Sequence, residues 1–254
     1  MAWLRDVSVP SGSTFSSVVD PLVAVATRGV IASTGPRKAD LLTHVGWGYF
    51  LKSRDGGTGI DPNQHYREAI QVDPGNVFAH AHRGHWIAWK RGDAAEAEQH
   101  FEAALASGRE TAYVRGLQLA MIRNRRSNDQ DAMLVRFVNQ LRRNGEPVEQ
   151  RERSDLFSVY EQALLDSDER FRRLVAAAPP AEQVATLRML TARDFGAYRA
   201  PTRDLILAML LEAAGEKAEA LQLWRELGAA LGPDGPVLQR TRVAGAIRRL
   251  SPAQ

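Results

Sequence analysis

The sequence predicts an all-α chain, an α-solenoid of stacked antiparallel helix pairs with about ten to twelve helices. Three observations carry that expectation. Apolar residues recur at helical spacing through 61–107, where Tyr66 and Ala69 lie three apart and Ala97, Phe101 and Ala104 fall at i, i+4 and i+7. Asp73-Pro74-Gly75-Asn76 and Gly92 punctuate that stretch, so it reads as one helix followed by a complete helical hairpin. The hairpin then returns downstream: Gly92 and Gly215, Ala97 and Ala220, and Phe101 and Trp224 are separated by the same 123 residues. A helix with a single apolar stripe cannot bury it alone, so such pairs must stack on their neighbours.

Taken in order, residues 1–38 form an N-terminal arm. Residues 1–19 lack a helical period and read as loop or extended chain. Asp20-Pro21 resembles an N-cap followed by proline at the first helical position, which predicts a short helix ending near Gly35-Pro36. The repeat domain spans 39–250. In its first helix Leu41, Leu42, Val45, Tyr49 and Phe50 share a broad face, and Gly46 and Gly48 leave room for close helix contact. The run Arg54-Asp55-Gly56-Gly57-Thr58-Gly59 is a flexible connection. It has neither the Gly-Lys-Ser/Thr of a phosphate loop nor the alternating carboxylates of a calcium loop.

After the hairpin at 77–107, the stretches 112–124 and 130–144 read as another antiparallel pair divided by 125–128, and Gly145 closes it. Helices follow over about 149–165, 168–178 and 181–195. The middle of the domain, 110–195, is irregular in its spacing. Leu207, Ala208 and Leu211 mark the next helix, Gly215 the turn, and Ala220, Trp224 and Leu227 the helix after it. Gly235-Pro236 opens a last helix, 236–250, with Leu238, Val243 and Ile247 opposite Arg240, Arg242, Arg248 and Arg249; one polar side suits a cap.

Composition narrows the function. An apolar share of 44% and a charged share of 25% are ordinary for a folded chain and exclude disorder throughout. With no cysteine, thiolate metal sites and cysteine nucleophiles are excluded. No run has the length and apolarity of a membrane span, and the N-terminus carries Arg5 and Asp6 in place of the apolar core of a signal peptide. The expected compartment is therefore the cytoplasm, or the periplasm where an export signal or anchor has been removed. Lys38, Lys52, Lys90 and Lys217 are the only lysines, so arginine dominates the 33 basic residues, yet 30 acidic residues nearly balance them. Those arginines read first as solvated helix surface and second as an anion site.

His80, His82, His85 and His100, with His44 and His65, are the one cluster with metal-ligand chemistry. His82 and His85 share a face, but His80 points elsewhere and no carboxylate completes a tetrahedral set, so no metal is expected. No catalytic motif and no cofactor loop occurs, and the expectation is a protein that is not an enzyme.

Tyr66-x-x-Ala69 before Asp73-Pro74, then Gly84, Gly92, Ala97, Phe101 and Ala104, and later Leu207-Ala208, Leu211, Gly215, Ala220, Trp224 and Leu227, resemble the tetratricopeptide repeat. The likeness covers about 39–107 and 201–231 and departs from the family at Arg83, where a buried leucine is usual. The 123-residue interval is also not a multiple of the family's period of roughly 34 residues. By resemblance, the first helix of each pair lines a concave face that holds a peptide or partner helix. Carried over by position, that face comprises Thr43, Trp47, Phe50 and Leu51 from one helix and Phe78, Ala81, His85, Ala88 and Trp89 from the next. Trp47, Phe50, Phe78, His85 and Trp89 are the candidate partner-binding residues, with burial in the core as the competing reading. Thr43 and Ala81 stand where family members that clamp a carboxylate chain end carry basic residues, which disfavours that mode. The resemblance implies a non-catalytic interaction scaffold. The alternative is an RNA-binding helical repeat using Arg123/Arg125/Arg126, Arg142/Arg143 with Arg151/Arg153, and Arg240–Arg249; the interspersed Glu146, Glu149, Glu152 and Asp155 weigh against nucleic acid.

Overall fold

Apolar period and local capping chemistry set the helices, so the fold follows from where each stripe finds a partner. The structure, a computed structural model, describes residues 15–54, 60–124, 130–232 and 237–251. The arm up to residue 14, the glycine-rich loop at 55–59, the divider at 125–128 and the expected helix start at 235–236 lie outside the described residues. Among the described residues there are fourteen α-helices, one short 3-10 turn and no strand. The all-α class is therefore correct. Contacts divide the chain into two units, Met1–Arg125 and Arg126–Gln254.

The first unit contains α1 (Phe15–Ile31), α2 (Gly35–Arg54), α3 (Pro62–Val72), α4 (Val77–Arg91), α5 (Ala94–Leu105) and α6 (Thr111–Asn124). Successive helices pair, α1 on α2, α2 on α3 and α4 on α5, and α4 also packs against α2 and α6. Two glycines let α2 sit between neighbours. Residues two apart on a helix point to nearly opposite sides. A Cβ on Gly46 would come 2.7 Å from the Tyr66 ring of α3, and one on Gly48 would come 2.4 Å from Val23 of α1. In α4 a Cβ on Gly84 would lie 2.9 Å from the Ala97 carbonyl oxygen of α5, with Phe101 fully buried beside it. Small residues stand where these helices cross.

Caps explain the boundaries. Asp61 accepts from the Asn63 backbone N–H at 3.0 Å ahead of Pro62, Asn76 accepts from Ala79 at 2.9 Å, and Asp93 accepts from Glu96 at 3.0 Å. Gly92 ends α4 with φ of 70°, a left-handed conformation that favours glycine. The amide of Asn76 also donates to Asp40 at 2.8 Å and so ties the start of α4 to α2.

Two boundaries of the first unit differ from expectation. The first helix starts at Phe15, not at Asp20-Pro21, and holds Pro21 inside. Val19 and Val23, one turn apart, bury against Val45 together with Ala26, and that apolar seam outweighs the one backbone hydrogen bond that proline removes. The next helix starts at Gly35, where Gly35-Pro36 was expected to mark only a stop; proline fits a first turn because no N–H is needed there.

The second unit contains α7 (Gln130–Arg143), α8 (Gln150–Asp166), α9 (Asp168–Val175), α10 (Pro180–Arg188), α11 (Ala192–Phe195), the 3-10 turn Ala197–Arg199, α12 (Ala200–Ala214), α13 (Lys217–Leu231) and α14 (Val237–Leu250). Here α12 pairs with α13, α13 with α14, and α10 with α12, while α7 packs against α8, α9 and α10. The helices at 112–124 and 130–144, expected to form one pair, fall in different units. The helix expected over 181–195 is broken after Arg188. Thr191 donates both its backbone N–H (2.7 Å) and its hydroxyl (3.0 Å) to the Asp194 carboxylate, a local arrangement that competes with continuing the helix. Arg153 donates to the same buried carboxylate at 3.0 Å and holds the break against α8.

The internal recurrence is structural. Gly215 ends α12 with φ of 82°, as Gly92 ends α4. Ala220 and Trp224 are buried on α13 as Ala97 and Phe101 are on α5.

Candidate functional site

Helices α2, α4 and α6 lie side by side in the first unit, so side chains spaced three or four apart on each meet across the seams. They form a run of aromatic rings. Trp47 and Phe50 of α2 stack at 4.9 Å and 19°. Phe50 meets His85 edge-on at 5.2 Å and Trp89 edge-on at 6.2 Å, both from α4. Trp47 packs on His82 at 4.3 Å, and Tyr66 of α3 stacks on His82 from another side at 5.9 Å. The Tyr113 hydroxyl of α6 and His82 Nε2 are hydrogen-bonded at 2.8 Å, and Phe78 meets Tyr113 edge-on at 5.6 Å. Each favourable ring pair adds about 0.5–1.5 kcal/mol beyond area burial.

All five candidate residues therefore belong to one connected cluster, but they differ in access. Trp47 and Phe50 are 7% and 2% exposed, and His85 is also buried. Phe78 is half-buried, while Trp89 is 52% exposed. Of the wider set, Thr43, Leu51, Ala81 and Ala88 are buried; the Thr43 hydroxyl donates to the Ala39 carbonyl at 2.9 Å. Sequence reasoning missed Tyr66, His82 and Tyr113 as members of the run. The usable signal was that Phe78 and Tyr113 stand 35 residues apart, each near the start of its helix, α4 or α6.

Burial governs the histidines. His82 is fully buried with no hydrogen-bond partner at Nδ1. Desolvation first, then the neighbouring His85 and His44, hold its pKa well below the ordinary imidazole value, so the ring is neutral at pH 7. His80 and His100 meet through their Nδ1 atoms at 3.0 Å. His80 Nε2 lies 3.0 Å from the Pro74 carbonyl, which only accepts. The proton of neutral His80 therefore sits on Nε2, and His100 Nδ1–H is the donor between the rings. Burial, with Arg83 adding repulsion, lowers His100 to about 4. Among the described residues no group of three or more His, Asp or Glu is gathered as a metal site.

Several arginines proposed for phosphate contact are occupied within the second unit. Arg142 Nε donates to Thr186 at 2.9 Å, Arg143 lies 3.5 Å from Glu182, and Arg153 holds Asp194. The Thr186 hydroxyl in turn donates to buried Asn139 at 2.6 Å. Among the described residues, no helix is long and apolar enough to cross a membrane. No family model matches the chain, and no curated protein matches it either.

Proposed function

We propose that the first unit is a non-catalytic interaction scaffold of tetratricopeptide type that holds a short peptide by an apolar anchor side chain. The observation that carries this reading is Trp89: a large ring, over half exposed, set edge-on against buried Phe50 at the outer end of the aromatic run. Large aromatic rings fixed on a rigid base lose little entropy on binding and dominate interface energetics. Lys90 follows Trp89 on an exposed position, whereas Arg91 is paired with Glu96 at 2.7 Å, so an acidic residue beside the peptide's anchor fits best. Trp47, Phe50 and His85 act as the support of this contact, and half-buried Phe78 extends it toward α6. The RNA-binding alternative draws less support, because Arg142, Arg143 and Arg153 are engaged within the second unit.

The test is selection of displayed peptides on the full chain, followed by titration of the selected peptides by fluorescence polarisation. Peptides with an aromatic or aliphatic anchor next to acidic residues should bind, Trp89→Ala should weaken them at least about tenfold (about 1.4 kcal/mol), and Trp89→Phe should restore part of the loss. Selected peptides that bind Trp89→Ala as tightly as the parent would refute the assignment. Affinity that instead collapses between low and moderate salt would point to phosphate-type contacts.

A further inference from the structure

The second unit holds a cleft that the interaction reading does not use. It has a volume of about 1110 Å³ and lies among α9 with its following loop, α12, α13 and α14. That is just above the size at which small-molecule ligands are held, roughly 300–1,000 Å³. Phe171, Val175 and Met209 give it an apolar wall, and Arg172, Arg242 and Arg249 line it together with Asp168 and Glu212.

The charges are unevenly committed. Glu212 accepts from the buried Trp224 indole N–H at 2.6 Å and takes Arg249 Nη2 at 3.1 Å, so it is held by two partners. The Asp168 carboxylate pairs with Arg242, and the Asp168 backbone carbonyl accepts from Arg172 Nε at 3.2 Å. Arg172 and Arg242 are thus both tied to Asp168, while the terminal fork of Arg172 has no carboxylate within salt-bridge distance among the described residues. The Asp168 side chain is 72% exposed, and an ion pair so wet contributes about 0–1 kcal/mol, so Arg242 is readily turned to another anion. Three guanidinium groups against two carboxylates leave the polar side of the cleft positive, beside an apolar wall.

We propose that this cleft binds a small amphiphile with an anionic head, carboxylate or phosphate, on an apolar body. The head sits at Arg172 and Arg242, whose planar forks match oxyanions, and the body lies along Phe171, Val175 and Met209. The proposal concerns the second unit only and stands apart from the peptide reading.

Isothermal titration of the full chain with dodecanoate, dodecyl phosphate and neutral dodecanol, each kept below its aggregation threshold, tests it. The expected result is saturable binding of at least one anion, with dodecanol at least tenfold weaker. Arg172→Gln, a change at an exposed position, should weaken the anion about tenfold, or about 1.4 kcal/mol. Ala213→Trp places an indole in the cleft from an exposed position of α12 and should abolish binding, with helical content checked by circular dichroism. Preference between the two anions identifies the head group. No binding of either anion, equal binding of dodecanol, or an affinity untouched by Arg172→Gln would overturn the proposal, and the last criterion holds even if Ala213→Trp fails to fold.

Discussion

Substituting Gly84 by alanine separates helix propensity from helix contact. In an exposed helix, alanine replaces glycine with a gain of about 1 kcal/mol. Gly116, exposed on α6 with nothing within 4 Å of an added Cβ, should show that gain. At Gly84 the same Cβ lies 2.9 Å from the Ala97 carbonyl oxygen, 3.2 Å from His100 Cβ and 3.4 Å from the Phe101 ring. The nearest atom is backbone, so relief requires α4 and α5 to separate, and overpacking of that kind costs about 1–3 kcal/mol. Gly84→Ala should therefore fall about 1–3 kcal/mol below Gly116→Ala in stability, with Gly116→Ala at or above the parent. Chemical denaturation followed by circular dichroism measures both. Equal stabilisation by the two substitutions would refute the close crossing of α4 and α5.

Trp47→Ala should cost about 3–5 kcal/mol, as expected for a buried ring, whereas Trp89→Ala should cost under about 1 kcal/mol; thermal melts of the two variants check this, and similar losses would contradict their different burial. Thr186→Val leaves Asn139 and Arg142 without their shared hydroxyl and should cost about 1–3 kcal/mol in denaturant unfolding; a neutral result would show the network to be unimportant. For pH, burial lowers the pKa of His44, His65, His80, His82 and His100 in the folded chain below the usual 6.5. The unfolded chain then binds more protons than the folded one in acid. Stability should be level in this respect above pH 6.5 and fall as pH drops from 6.5 toward about 4, the value for His100. Melting curves across that window check the sign, and His82→Gln should flatten the slope; a rise in stability on acidification would contradict neutral, buried imidazoles.

The helical class and most element boundaries were legible because caps and periodicity are local. Gly92 and Gly215 act at their own positions as the turns the sequence suggests, and Asp61, Asn76 and Asp93 cap α3, α4 and α5 just as locally. What failed depended on distant partners. Pro21 looked like a helix start because the burial of Val19 against Val45 is invisible locally. The break after Arg188 rests on Thr191 and Asp194 together with Arg153, which comes from another helix. At the site, spacing identified residues that share a face, and Trp47, Phe50, Phe78, His85 and Trp89 do meet in one cluster. Spacing does not say which side chains on a face are covered, so the contrast between buried Phe50 and exposed Trp89, both drawn from the same pattern, needed the packed helices.

Hydrogen exchange of the full chain, with and without a peptide selected through its anchor residue, tests the scaffold reading most directly. Binding at Trp89 predicts slowed amide exchange concentrated in α2 and α4 around Trp47–Leu51 and His85–Arg91, extending to α6 near Tyr113. Protection confined to the second unit, or no protection in α4, would contradict it.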